Sequence, residues 1–162
     1  MKKKIFLILF FIPLLVYSQG NVKNKIQWLN LNEAQEYSKK YKKNMFVYFY
    51  RPNCEYCERM KSETLSDTSI INLINNNFLP VMLNGRTKDT LIFNNIRYSN
   101  QQPVDHGATF RHDLYFELVN SVKGQLFWPS SVIVSSDYQK LISIPGFQPK
   151  RNYSRLLKRY IK

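Results

Sequence analysis

Cysteine and glycine are scarce in this chain: two cysteines and five glycines in 162 residues, with seven prolines. Two cysteines cannot build a disulfide-framework miniprotein, and by themselves they cannot complete a four-cysteine zinc site. So few glycines and prolines exclude a collagen-like or linker-dominated chain. Acids are few as well, 11 against 24 Lys and Arg, a formal charge of +13. What is present is ordinary globular material: 44% apolar and 22% charged residues, without an internal repeat or a low-complexity linker. That content suffices for one core in one domain, and nothing marks a second.

The first 18 residues read as an address. Met1-Lys2-Lys3-Lys4 is a basic start, and Ile5 through Val16 is an apolar run interrupted only by Pro13. Twelve helical residues at about 1.5 Å rise cover too little of a ~30 Å hydrocarbon core to span it. Val16 and Ser18 are small enough for a signal-peptidase site, so residues 1–18 are expected to be a signal peptide and 19–162 the mature domain. No Cys follows the apolar run, so a lipid anchor has no attachment residue. The expected location is outside the cytoplasm, periplasmic or secreted, where a cysteine pair can persist as a disulfide.

Without Lys2, Lys3 and Lys4 the charge is +10, with local runs at Lys39–Lys43 and Lys150–Lys162. Clustered cations suit phosphates, but the same runs also make solvated helix faces. No recognised nucleic-acid-binding motif accompanies them. No nucleic-acid partner is expected, and the chain is expected to be a monomer.

The periodicities give a βαβα order, then a hairpin and a helix, then ββα. Ile26–Leu29 reads as a short strand, and Asn32 as the N-cap of a helix over 32–42 with its lysines outward. Met45–Tyr50 is an unbroken apolar and aromatic run, a buried central strand ended by Pro52. A helix follows from Cys54, with a restart capped at Ser66, then a strand over Phe78–Leu83. Thr90–Phe93 and Ile96–Tyr98 flank Asn94-Asn95 as a small hairpin. Residues 99–108 read as a loop, about 110–122 as a helix, Val132–Val134 and Leu141–Ile144 as paired strands, and Tyr153–Ile161 as a closing helix. Front-end alternation demands parallel pairing and the tight closing connection an antiparallel pair. The expected class is α/β, a mixed central sheet with helices on both faces and a small β-hairpin insertion.

Cys54-Glu55-Tyr56-Cys57 sits at the strand-to-helix junction. A sulfur at a helix start meets unpaired N–H groups and partial positive charge, which lower a thiol pKa from ~8.5 into roughly 3.5–7.5. One helical turn returns the second sulfur to the same face, so the pair opens and closes through a mixed disulfide. Cys54 is then the exposed nucleophile and Cys57 the resolving thiol. Other chemistries use the same pair: half of a zinc site completed by His106 and His112, a copper site, or a structural disulfide.

The segment Phe46-Val47-Tyr48-Phe49-Tyr50-Arg51-Pro52-Asn53-Cys54-Glu55-Tyr56-Cys57-Glu58-Arg59-Met60 resembles the active-site segment of the thioredoxin superfamily, closest to the exported thioredoxin-related proteins of bacteria. Trp128-Pro129-Ser130-Ser131-Val132-Ile133-Val134 is similar to the family's cis-proline segment, and Ile144-Pro145-Gly146-Phe147 to its strand-ending glycine. The resemblance covers about residues 26–162 and implies a thioredoxin-like fold with Cys54 and Cys57 as the redox pair. It further implies Pro129 as a cis-proline and Trp128–Pro129 as a substrate-binding segment. The activity implied is thiol–disulfide exchange with cysteine-containing exported proteins, recharged by a membrane redox partner, without organic cofactor or metal. One departure stands out: Tyr48 occupies the position where thioredoxins usually carry a buried acid, and Glu58 reads first as a surface helix charge and second as a replacement for that acid. Glu55 opposes a Cys54 thiolate while Arg51, Arg59 and Lys61 favour it, so the direction of electron flow is open. The alternative from another class is a thioredoxin-like module that binds metal or peptide without turnover. A third is a basic surface-binding protein with a structural disulfide.

Overall fold

The computed structural model describes residues 25–101 and 110–161. The expected signal peptide and His106 lie outside the described residues. In chain order the elements are α1 (Leu31–Tyr41), β1 (Met45–Tyr50), α2 (Glu55–Arg59) running into a π turn (Met60–Thr64), α3 (Thr68–Asn77) and β2 (Leu79–Asn84). Then come β3 (Leu91–Phe93), β4 (Ile96–Tyr98), α4 (Asp113–Leu118), β5 (Ser130–Val134), β6 (Lys140–Pro145) and α5 (Lys150–Lys158). Four strands form one sheet in the order β2-β1-β5-β6, with β3 and β4 as a separate hairpin. The β1–β2 pair is parallel, and β1–β5 and β5–β6 are antiparallel.

The central strand explains the layering. Side chains alternate across a sheet, and β1 is apolar at every position, so both of its faces must be covered. Met45, Val47 and Phe49 join one core, with Ala34 of α1 and Leu114, Tyr115 and Leu118 of α4. Phe46 and Tyr48 point the other way, against Ile70, Ile71 and Ile74 of α3 and Tyr153 and Leu157 of α5. Inside the second layer the Tyr153 hydroxyl donates to Ser131 Oγ at 2.6 Å, which satisfies a fully buried polar group.

Several boundaries differ from the sequence reading, each for a local reason. The strand expected at Ile26–Leu29 reduces to one parallel bridge, Leu29 to Val81. Asn30, not Asn32, caps α1: its Oδ1 accepts from Glu33 N at 2.8 Å and its Nδ2 donates to Glu33 Oε2 at 3.2 Å, a reciprocal box. Asp67, not Ser66, caps α3, because its carboxylate accepts from both Ser69 N and Ile70 N. The helix expected over 110–122 is α4 alone. After Leu118 the chain turns extended at Val119, and Lys123 and Gly124 adopt positive φ to close a Val122–Gln125 bridge. The hairpin lies where expected, with Asn94 and Asn95 both left-handed, as a two-residue primed turn requires.

Candidate active site

β1 ends at Tyr50, and the three residues after it set the geometry of the first cysteine. Asn53 adopts φ of 53°, a conformation that asparagine tolerates better than most residues. Arg51 Nη1 donates to Pro52 O at 3.2 Å and to Asn53 O at 3.0 Å, bracing the turn from its own side. Cys54 is thereby delivered extended, as the N-cap of α2. Its sulfur accepts from Cys57 N at 3.1 Å, and its carbonyl from Cys57 N and Glu58 N at 3.0 Å. Donation to sulfur from the first turn stabilises negative charge there, the physical requirement for a reactive thiolate.

Cys54 and Cys57 are joined in a disulfide with a Cα–Cα distance of 5.2 Å. The expectation of an exposed Cys54 needs correction: in this oxidised form the residue is only 4% exposed, against 0% for Cys57. The order of access is as expected, but the cap geometry and the bridge between them bury both. Tyr56 between them is 55% exposed. Arg59 lies with its guanidinium 6.0 Å from the Tyr56 ring and 4.5 Å from the Phe147 ring, and pairs with Glu63 at 3.0 Å.

The second landmark reaches the same end of the sheet. Phe49 is paired with Ser130, so the β1–β5 register brings Trp128 and Pro129 to the end of β1 from which the Cys54 loop departs. The Trp128–Pro129 peptide is cis. Gly146 N donates to Pro129 O at 2.8 Å, which attaches the chain after β6 to this rim. The Trp128 ring packs against Tyr115, centroids 4.3 Å apart and planes tilted by 33°, and lies over Gly85, where an added Cβ would overlap the ring. The half-buried indole therefore packs against the core beside α4.

Over residues 31–161 the sequence matches the family model of the thioredoxin-like domain. The chain belongs to the thioredoxin-like domain family. No curated protein matches the sequence. Among solved structures, a DsbH oxidoreductase aligns at 17% identity and TM-score 0.57 over 85% of this chain and 85% of its own. A thioredoxin from Thermus thermophilus aligns at 17% identity and TM-score 0.58, over 83% and 86%. A disulphide isomerase from Xylella fastidiosa Temecula1 aligns at 14% identity and TM-score 0.53, over 79% and 86%. At such identities the likeness is one of fold.

In this thioredoxin-like domain Tyr48 stands where the resemblance leads one to expect a buried acid, and its hydroxyl donates to Cys57 O at 3.3 Å. Burial first, and the Glu58 charge second, hold the phenol well above its ordinary pKa, so it is a donor and not a base. Glu58 stands on the surface, accepting from Lys61 Nζ at 2.9 Å. His112 is a buried helix cap: Nδ1 accepts from Leu114 N at 3.1 Å, leaving Nε2 to donate to Asp89 O at 3.0 Å. Both of its nitrogens are committed, which removes it from the zinc arrangement. Among the described residues, no three His, Cys, Asp or Glu side chains gather as a metal site.

Sequence reasoning missed Gly85, Tyr115 and the π turn. Nothing in Asn84-Gly85 distinguishes a site for an indole from an ordinary turn. A π turn differs from α-helix by one hydrogen bond that composition does not encode.

Proposed function

We propose that this domain is an exported thiol–disulfide oxidoreductase that exchanges its Cys54–Cys57 pair with cysteine-containing exported proteins. The observation that carries the reading is the disulfide at a helix start, with Cys57 N directed at Cys54 Sγ and the Pro129 rim at the same sheet end. Cys54 is the nucleophile, Cys57 the resolving thiol, and the backbone about Trp128 and Pro129 the place where the reacting peptide lies.

The electrons balance within the sulfurs. A substrate thiolate attacks Cys54 Sγ, the Cys54–Cys57 bond breaks, and Cys57 leaves as thiolate. A second substrate thiolate then attacks the mixed disulfide, leaving substrate oxidised and the pair reduced. The reverse sequence reduces a substrate disulfide. No organic cofactor takes part, and a membrane redox partner resets the pair, because the apolar leader at residues 5–16 directs the chain away from cytoplasmic donors.

The test is exchange with a cysteine-containing peptide. Cys54→Ser abolishes it, and Cys57→Ser accumulates a mixed disulfide visible on non-reducing gels. Loss of exchange in neither variant, or metal retained stoichiometrically through purification, favours the binding module. N-terminal sequencing of protein recovered from outside the cytoplasm reads from Gln19 if the leader is cut where proposed. The potential of the pair sets direction: about −270 mV marks a reductant and about −120 mV an oxidant.

A further inference from the structure

The redox helix and the Pro129 rim come from distant parts of the sequence, and the short strap Pro145–Gln148 joins them. Gly146 N holds the strap to Pro129 O at 2.8 Å. The π turn holds its other end: Gln148 N donates to Met60 Sδ at 3.5 Å, and the Thr64 hydroxyl donates to Gln148 O at 2.6 Å. Gln148 Nε2 folds back to Pro145 O at 2.7 Å, and Arg59 covers Phe147 between them. Met60 and Thr64 are fully buried. A threonine hydroxyl inside a helix ordinarily bonds the carbonyl four residues back. Here that carbonyl belongs to Met60, and Leu65 N takes it at 2.9 Å as the wide bond of the π turn. Thr64 reaches across to the strap instead.

We infer that Thr64 is a positioning residue for disulfide exchange, fixing the separation between the Cys54–Cys57 pair and the Pro129 rim through the Gln148 peptide. The inference rests on the redox reading above. A reacting peptide must meet the sulfur and the rim together, so a small change in their separation weakens its exchange. A small dithiol meets only the sulfurs and does not sense the rim. The part-buried carbonyl of Gln148 would lose its donor on removal of the hydroxyl, and the strap would shift to find another.

The experiment compares Thr64→Val and Thr64→Ser with the wild type, each starting as the Cys54–Cys57 disulfide, using a two-cysteine peptide dithiol and dithiothreitol as separate reductants. Thr64→Val lowers kcat/KM for the peptide about tenfold, chiefly through KM, while the dithiothreitol rate stays within about twofold. Thr64→Ser restores the hydroxyl and returns the peptide value to within about twofold of wild type. If Thr64→Val fails to fold by circular dichroism, the surface variant Arg59→Met decides, raising the peptide KM about threefold by freeing Phe147. Equal losses with both reagents, no loss, failure of the Ser rescue, or an unchanged KM in Arg59→Met overturns the positioning role and leaves the redox reading standing. A wild type that exchanges with neither reagent overturns both.

Discussion

At the scale of single residues, two positions are decided by contacts rather than by propensity. Gly85 has no side chain because the Trp128 ring occupies that space, with Cζ3 only 2.6 Å from the point where a Cβ would stand. Gly85→Ala forces the rigid indole off Tyr115, costing about 1–3 kcal/mol in urea unfolding and altering tryptophan emission. Tyr48 poses the opposite case, a buried polar group with one long hydrogen bond to Cys57 O. Because burial keeps the phenol protonated far above neutral pH, it takes no proton from Cys57. Tyr48→Phe is expected to cost about 0.5–1.5 kcal/mol and leave the pH–rate profile of exchange unmoved below about pH 9. A displaced profile would put the phenol in the proton path.

At the scale of elements, caps and turns carry the local information. Asp67 is held at a pKa of about 2, first by the Ser69 hydroxyl, then by Lys150, with Ile70 N and Ser69 N adding to it. The folded value lies below the ordinary 3.8, so the carboxylate's contribution is full above about pH 4 and disappears as pH falls toward 2. Asp67→Ala is expected to lose about 0.5–2 kcal/mol at pH 7 through the cap, and the gap from wild type narrows across that acid window. Denaturant titrations of both proteins at several pH values measure it. The hairpin is pinned to α1 by Gln35, whose Nε2 donates to Ile92 O at 2.9 Å and whose Oε1 accepts from Asn94 N at 2.8 Å. Asn95 has φ of 61°, so Asn95→Gly relieves the left-handed position and stabilises by a few tenths up to about 1 kcal/mol, whereas Asn95→Val destabilises. Thermal unfolding of the pair checks both signs.

At the scale of the whole molecule, the sheet has two edges and each is guarded. β2 carries Pro80, whose carbonyl accepts from Leu29 N at 2.8 Å. β6 ends in Pro145 and is met by the end of α4 and the chain just after it, with Lys140 Nζ on Glu117 O at 3.0 Å and Asn120 N on Ser143 Oγ at 3.1 Å. Guarded edges and a strong positive charge both disfavour strand-to-strand pairing of copies. Sedimentation is expected to give one species of monomer mass, and a stable dimer would refute this reading of the edges.

Much of this architecture is legible from residue order. The six-residue apolar run of β1 has to be buried on both faces, and that alone demands helices above and below the sheet. Asn94-Asn95 between two short apolar runs specifies the hairpin, and the Cys54–Cys57 spacing at a strand end specifies a sulfur pair in the first helical turn. These features are local, set by chain geometry within a few residues. The caps at Asn30 and Asp67 lie one or two positions from where the sequence pattern puts them, because neighbouring Asn32 and Ser66 carry equally suitable side chains and only packing of Leu31 and Ile70 selects between them. The tertiary structure alone decided the rest: that His112 Nε2 is taken up by Asp89 O, that the Trp128 indole lies on Gly85 and Tyr115, and that Thr64 grips Gln148 across 84 positions of sequence. Each of those depends on a partner from a distant segment, whose approach is fixed by the two cores packed on either face of β1 and not by any periodicity in the chain.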